Sequence, residues 1–128
     1  MEKVHNPYIV IDKAEKGVPL QAFESLVEES GYNKTSIAEF IGMDVRTVTN
    51  YKKANRSFKK TDAEHLLKLR ELFAFGREVF GDKDEFQRWL SKPSHGLGGR
   101  IPEQLLNYIS GIELVSRELS RIEYGDFS

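Results

Sequence analysis

The stretch "KTSIAEFIGMDVRTVTNYKK", residues 34–53, decides the fold. Two short apolar patterns lie on either side of Gly42. Ile37, Ile41, Met43, Val45, Val48 and Tyr51 are apolar where two short helices meeting at a tight turn pack together. Ala38 is small, as it must be if the second helix crosses close over the first. Gly42 sits four residues later, where the chain turns and a positive φ is wanted. Asp44 is an N-capping residue for the second helix. The stretch therefore reads as a helix-turn-helix.

The second helix carries the functional prediction. At about 100° per residue, Val45, Val48 and Tyr51 occupy one side. Arg46, Thr49, Asn50 and Lys53 fall within an arc of about 100° on the other side, with Thr47 at its margin. These types read base edges: Arg toward guanine, Asn toward adenine, Thr toward either edge or a thymine methyl. Lys34, Lys52, Arg56, Lys59 and Lys60 flank the arc and suit phosphate contacts. A plain solvated helix face draws on the same residue types, but the local charge favours DNA. Residues 33–60 hold seven bases and two acids, a balance of +5 in a chain whose net charge is −1. Modules of this kind usually act as dimers on paired half-sites, so a homodimer is expected.

Working outward, helix signals dominate and no strand pattern competes except the short "YIVI" run at residues 8–11. "VPLQAFESLVEESG" has Pro19 in a first turn and Gly31 as a stop. "TDAEHLLKLRELFAFGREVFG" opens with a capping box, Thr61 and Glu64, and ends at Gly81. "DKDEFQRWL" repeats the device with Asp82 and Glu85, and Pro93 forbids continuation. "PEQLLNYISG" begins at Pro102 and should stop at Gly111. "IELVSRELSRIEYG" carries Ile112, Val115, Leu119 and Ile122 on one stripe, with Gly125 as its stop. The expected fold is all-α, about seven helices, divided into an N-terminal extension (1–17), a helix-turn-helix module (18–60) and a second helical domain (61–128).

Composition narrows the function. The 128-residue chain has no cysteine, which excludes disulfides and thiolate metal sites. The four-residue apolar run Tyr8–Ile11 is too short for a secretory segment or a membrane span. A cytoplasmic protein is expected, with no membrane partner. The "NKT" and "NRS" glycosylation patterns carry no meaning without secretion. His5, His65 and His95 lack the spacing of metal ligands, and His65 reads as a surface or core-edge residue. "GLGGR" at 96–100 follows no strand, so it reads as a hinge between helices and not a nucleotide-binding loop. No catalytic residue, metal site or cofactor is expected, and an enzyme is disfavoured.

The second half adds a resemblance. "RWLSKP", "LGGRIPEQLL", Gly111 before the last helix and the terminal "RIEYG" together resemble the toxin-binding C-terminal domain of the Xre/MbcA/ParS-type antitoxins. The resemblance covers about residues 20–128. Asn107, Tyr108 and Asp126 depart from the family's usual pattern. It implies the antitoxin of a type II toxin–antitoxin pair, which neutralises a RES-domain toxin that consumes NAD and represses its own operon. Carried over, operator contact falls on Lys34, Arg46, Thr47, Thr49, Asn50, Lys52, Lys53 and Arg56. Toxin contact falls on Arg121, Glu123, Tyr124, Gly125, Asp126, Phe127 and Ser128. Trp89, Leu90, Pro93, Leu105 and Leu106 should build the second domain's core. The tail is expected to turn away at Gly125 and insert Phe127 into the toxin. The alternative is a stand-alone transcriptional regulator whose second domain only dimerises. Such a domain has no use for an aromatic finger.

Overall fold

The computed structural model describes residues 6–125. Its regular elements are helical: α1 (Pro7–Lys16), α2 (Leu20–Ser30), α3 (Lys34–Phe40), α4 (Val45–Lys53), α5 (Lys60–Phe80), α6 (Lys83–Leu90), a 3-10 turn (His95–Leu97), α7 (Pro102–Leu105) and α8 (Ile109–Glu123). The all-α expectation holds, with eight α-helices described where about seven were expected.

The added helix is α1. Its Tyr8–Ile11 run has strand propensity, yet the local caps favour a helix. The Asn6 side chain accepts from the Tyr8 and Ile9 amides at 3.0 and 3.4 Å, and Pro7 stands in the first turn. Val10 and Ala14, four residues apart, are the positions that α1 buries as it packs on α5. Tertiary contact overrides the weak β propensity.

The 21-residue α5 is the central strut. Helices α1, α2, α6 and α8 all pack on it, whereas α4 packs on α3 and α3 on α2. A two-way backbone bridge between Val18 and Phe58 (2.7 and 2.8 Å) clips the start of the helix-turn-helix segment to its end. One continuous core runs through the molecule, from Phe23, Leu26, Ile37 and Phe58 to Phe86, Leu90, Leu106, Val115 and Leu119. At its middle the Phe86 ring lies on the backbone of α5. A Cβ built at Gly76 would come within 2.2 Å of that ring, so only glycine lets the two helices approach so closely.

Several local expectations need correcting. Helix α5 begins at Lys60, one residue before Thr61, and its N-cap residue, Lys59, makes no side-chain cap bond. The anticipated Thr61–Glu64 capping box therefore does not start it. Gly111 does not stop a helix either. It lies in the first turn of α8, where a Cβ would sit 1.9 Å from the Leu105 carbonyl oxygen; it is glycine because α7 crosses there. Leu90 and Leu106 are fully buried as expected, but Trp89 and Leu105 are half-buried and Pro93 is exposed. His65, expected at the surface or the core's edge, is 6% exposed, and its Nε2–H donates to the Leu106 carbonyl at 2.8 Å.

Candidate functional site

The turn between α3 and α4 is closed by backbone bonds. The Gly42 amide donates to the Glu39 carbonyl at 3.0 Å and the Met43 amide to the Ala38 carbonyl at 2.9 Å. This is the paired closure of a Schellman motif, and it requires the left-handed conformation that Gly42 adopts, φ +75°. Ala38 is completely buried. Asp44 then caps α4, accepting from the Arg46 amide at 2.8 Å. Ile37, Ile41 and Val48 are buried, Met43, Val45 and Tyr51 half-buried. The Tyr51 ring rests on Phe58, 5.4 Å between centroids.

That packing turns the opposite face of α4 to solvent. Arg46, Thr47, Thr49, Asn50, Lys52, Lys53 and Arg56 are all exposed, as is Lys34 in the first turn of α3. They are not equally free. Arg46 folds back on Asp44, Nη2 to Oδ2 3.3 Å. The Arg46 guanidinium holds the Asp44 carboxyl below its usual range, and Asp44 in turn raises Arg46. The Thr49 hydroxyl donates to the Val45 carbonyl at 3.1 Å. Lys52 is paired with Glu24 of α2 at 3.0 Å. Arg56 lies over the Tyr51 ring, 4.5 Å from its centroid.

The other sequence-predicted site lies where α8 ends. Tyr124 closes the helix and Gly125 follows at φ +69°, the left-handed exit expected of it. Tyr124 is 71% exposed. Asp126, Phe127 and Ser128 lie outside the described residues. Arg121 is exposed but held along the surface: its Nε donates to Glu118 Oε1 at 2.9 Å and its Nη2 contacts both that oxygen and the Gly96 carbonyl. Glu123 is half-buried, and its Oε1 is enclosed with no hydrogen-bond partner among the described residues.

A junction that sequence reasoning missed joins the two regions. Tyr32, in the α2–α3 turn, donates its hydroxyl to Glu103 Oε1 of α7 at 2.6 Å. Burial and the Glu103 carboxylate together push the Tyr32 phenol far above the usual tyrosine range. The same ring packs edge-on against Phe40 and Phe73, 5.4 and 5.8 Å between centroids. The two partners of the hydrogen bond are 71 residues apart in sequence, so no local pattern announces it. Among the described residues, no three His, Asp or Glu side chains converge as metal ligands, and no helix is long and apolar enough to cross a membrane.

Comparisons with known proteins bear on both sites. Residues 10–71 match the family model described as the antitoxin Xre-like helix-turn-helix domain. Residues 75–125 match the antitoxin Xre/MbcA/ParS C-terminal toxin-binding domain. The chain is 25% identical over 111 residues to antitoxin Xre of Photorhabdus laumondii, covering 86% of this chain and 75% of that protein. It is 26% identical over 121 residues to antitoxin Xre of Yersinia enterocolitica, covering 94% and 82%. It is also 32% identical over 100 residues to the Prs ADP-ribosylating antitoxin of Sphingobium sp., covering 70% and 63%. Its fold matches a chain of the M. tuberculosis MbcT–MbcA toxin–antitoxin complex with a TM-score of 0.68 at 16% identity, over 85% of this chain and 96% of that one. With a helix-turn-helix domain and a toxin-binding domain in that order, the chain belongs to the Xre/MbcA/ParS family of type II antitoxins.

Proposed function

We propose that this antitoxin neutralises a RES-domain, NAD-consuming toxin through contacts from Arg121 to Ser128, with the tail beyond Gly125 inserting into the toxin's active site, and that it represses its own operon as a homodimer in the cytoplasm. The observation that carries the toxin half is the form of the α8 terminus. The helix stops at an exposed Tyr124, and Gly125 turns the backbone at positive φ. Phe127 is the aromatic anchor of the insertion. Asp126 pairs with basic groups that would otherwise hold the toxin's phosphate-bearing substrate. One relative's name couples an antitoxin with ADP-ribosylation, chemistry that uses NAD, and this supports an NAD-consuming partner.

The repressor half rests on the exposed polar face of α4. Arg46, Thr49, Asn50 and Lys53 read base edges. Lys34, Lys52 and Arg56 contact phosphates, with Thr47 at the margin. No cofactor enters this reading, and no step of it is enzymatic. The domain division into residues 1–17, 18–60 and 61–128 assigns DNA to the second segment and toxin to the third.

The test is a chain truncated after Tyr124, co-expressed with the toxin encoded by the adjoining gene and assayed separately on operator DNA. Loss of protection with DNA binding retained is the expected result. Full protection by the truncated chain would move neutralisation to the helical body. If the intact chain gives no protection, the toxin reading itself fails.

A further inference from the structure

The loop between α6 and α7 read from sequence as a hinge, but its geometry is that of a fixed surface. Ser94 and Arg100 are bridged, the Ser94 amide donating to the Arg100 carbonyl at 2.9 Å. The Gly99 amide returns to the Ser94 carbonyl, also at 2.9 Å. The 3-10 turn inside the loop adds Leu97 to Ser94 and Gly98 to His95, both at 3.1 Å. A segment closed on itself in this way keeps one shape. It is also fastened from below. Glu118, a carboxylate only 9% exposed, lies so close under Gly96 that a Cβ there would sit 2.1 Å from its Oε2. Arg121 holds Glu118 and reaches the Gly96 carbonyl at 3.4 Å. The side chain that anchors the loop therefore stands one helical turn before Tyr124, where the tail begins.

The outward side of the loop has a distinct charge. Residues 91–102 contain Lys92, His95 and Arg100 and no acid, within a stretch (82–125) where seven acids outnumber six bases. Lys92, His95 and Arg100 are all exposed. Gly98 and Gly99, in left-handed conformations with open space around them, lie between His95 and Arg100 in the loop. This is not an extension of the DNA face, because the 3-10 turn packs on α8 while α4 packs on α3. Interface size argues for a partner surface. A specific interface takes about 20–30 residues a side, and the proposed toxin-contact segment, residues 121–128, is far smaller. It needs an adjoining rigid surface, and this loop adjoins it.

We propose that the loop from Lys92 to Arg100 is a second toxin-binding surface, a basic collar that docks on carboxylates around the mouth of the toxin's active site while the tail enters it. The assignment rests on the toxin-capture reading above. The collar supplies steered encounter, and the tail supplies the lasting grip. Rim charges act chiefly on association rate and salt dependence.

The experiment measures association and dissociation rates of a catalytically inactive form of the toxin from the adjoining gene on the immobilised full-length chain, at low and high salt. Arg100→Glu should slow association by about tenfold at low salt, with the difference shrinking at high salt. Arg100→Gln should give a smaller loss. Lys16→Glu makes the same change in net charge on α1 and should leave the rate near that of the unmodified chain. Unchanged melting temperatures will show that the variants fold. In the chain truncated after Tyr124, the toxin should still associate, and Arg100→Glu should remove what remains. Arg100→Glu kinetics that match those of Lys16→Glu overturn the collar and leave the tail reading standing. So does an Arg100→Glu variant that loses operator DNA and keeps the toxin. If the unmodified chain fails to bind the toxin, both readings fall together.

Discussion

His65 shows how one buried side chain sets a pH limit on the whole chain. Burial lowers its pKa from 6.5, opposed only in part by the bond to the Leu106 carbonyl. The unfolded chain takes up a proton near pH 6.5 that the folded chain refuses. Stability is therefore complete above that pH, falls as pH drops through it, and levels off below the folded value. The melting temperature should decline as pH falls through about 6.5, the unfolded histidine value, and His65→Gln should flatten that slope. A slope unchanged in the variant would assign the acid sensitivity to carboxylates. Phe86 presents a packing limit of a different kind. It is completely buried, with Phe73 at 5.5 Å and Phe80 at 5.9 Å between centroids. Phe86→Ala should cost about 3–5 kcal/mol. Gly76→Ala pushes a methyl group into the same ring and should cost about 1–3 kcal/mol by overpacking. Chemical denaturation of the two variants checks both values. Trp89→Ala should cost less than Phe86→Ala, because Trp89 is half-buried at the rim of the ring cluster.

At the scale of elements, what sequence revealed and what it hid divide along a physical line. Helix ends set by one residue's own conformation were legible: Gly31, Gly42 and Gly81 at positive φ, and Asp44 and Asp82 as side-chain caps. Ends set by a distant neighbour were not. Gly111 looked like a stop because sequence does not show the Leu105 carbonyl against it. Helix α1 had a readable cap in Asn6–Pro7, but its strand-forming residues outweighed that signal. The face of α4 was legible from periodicity alone, since Val48 fixes which side is buried. The Asp44, Glu24 and Tyr51 partners that hold Arg46, Lys52 and Arg56 were not foreseen. These partners shape the expected DNA phenotype. Arg46→Ala or Asn50→Ala should each weaken operator binding about tenfold to a hundredfold and relax base preference at one position. Lys52→Ala should weaken binding to all sequences and flatten the salt dependence. Glu24→Ala, which frees Lys52, should have the opposite effect and strengthen non-specific binding. A gel-shift titration in which Arg46→Ala matches the unmodified chain would move the docking face off α4.

Across the whole molecule, two domain matches meet within one helix. The helix-turn-helix match ends at residue 71 and the toxin-binding match begins at 75, both inside α5 (Lys60–Phe80). A rigid helix with core on both sides of that seam leaves no linker at which the halves could unfold separately. Tyr32 ties them a second time, through Glu103 and through the Phe73 ring. The chain should therefore unfold in one cooperative transition, with calorimetric and van't Hoff enthalpies equal. Tyr32→Phe keeps the ring packing but leaves Glu103 without its donor. The lost bond is to a charged acceptor, a class worth about 1.5–3 kcal/mol, and the half-buried Glu103 recovers part of that from water. The melting temperature should therefore fall by a few degrees, at about 4–8 °C per kcal/mol for domains near this size and less for larger ones. The transition should remain single, because α5 still runs through both halves. Calorimetry that instead resolves two transitions in Tyr32→Phe would show that the hydrogen bond, and not the shared helix, makes the two domains one unit.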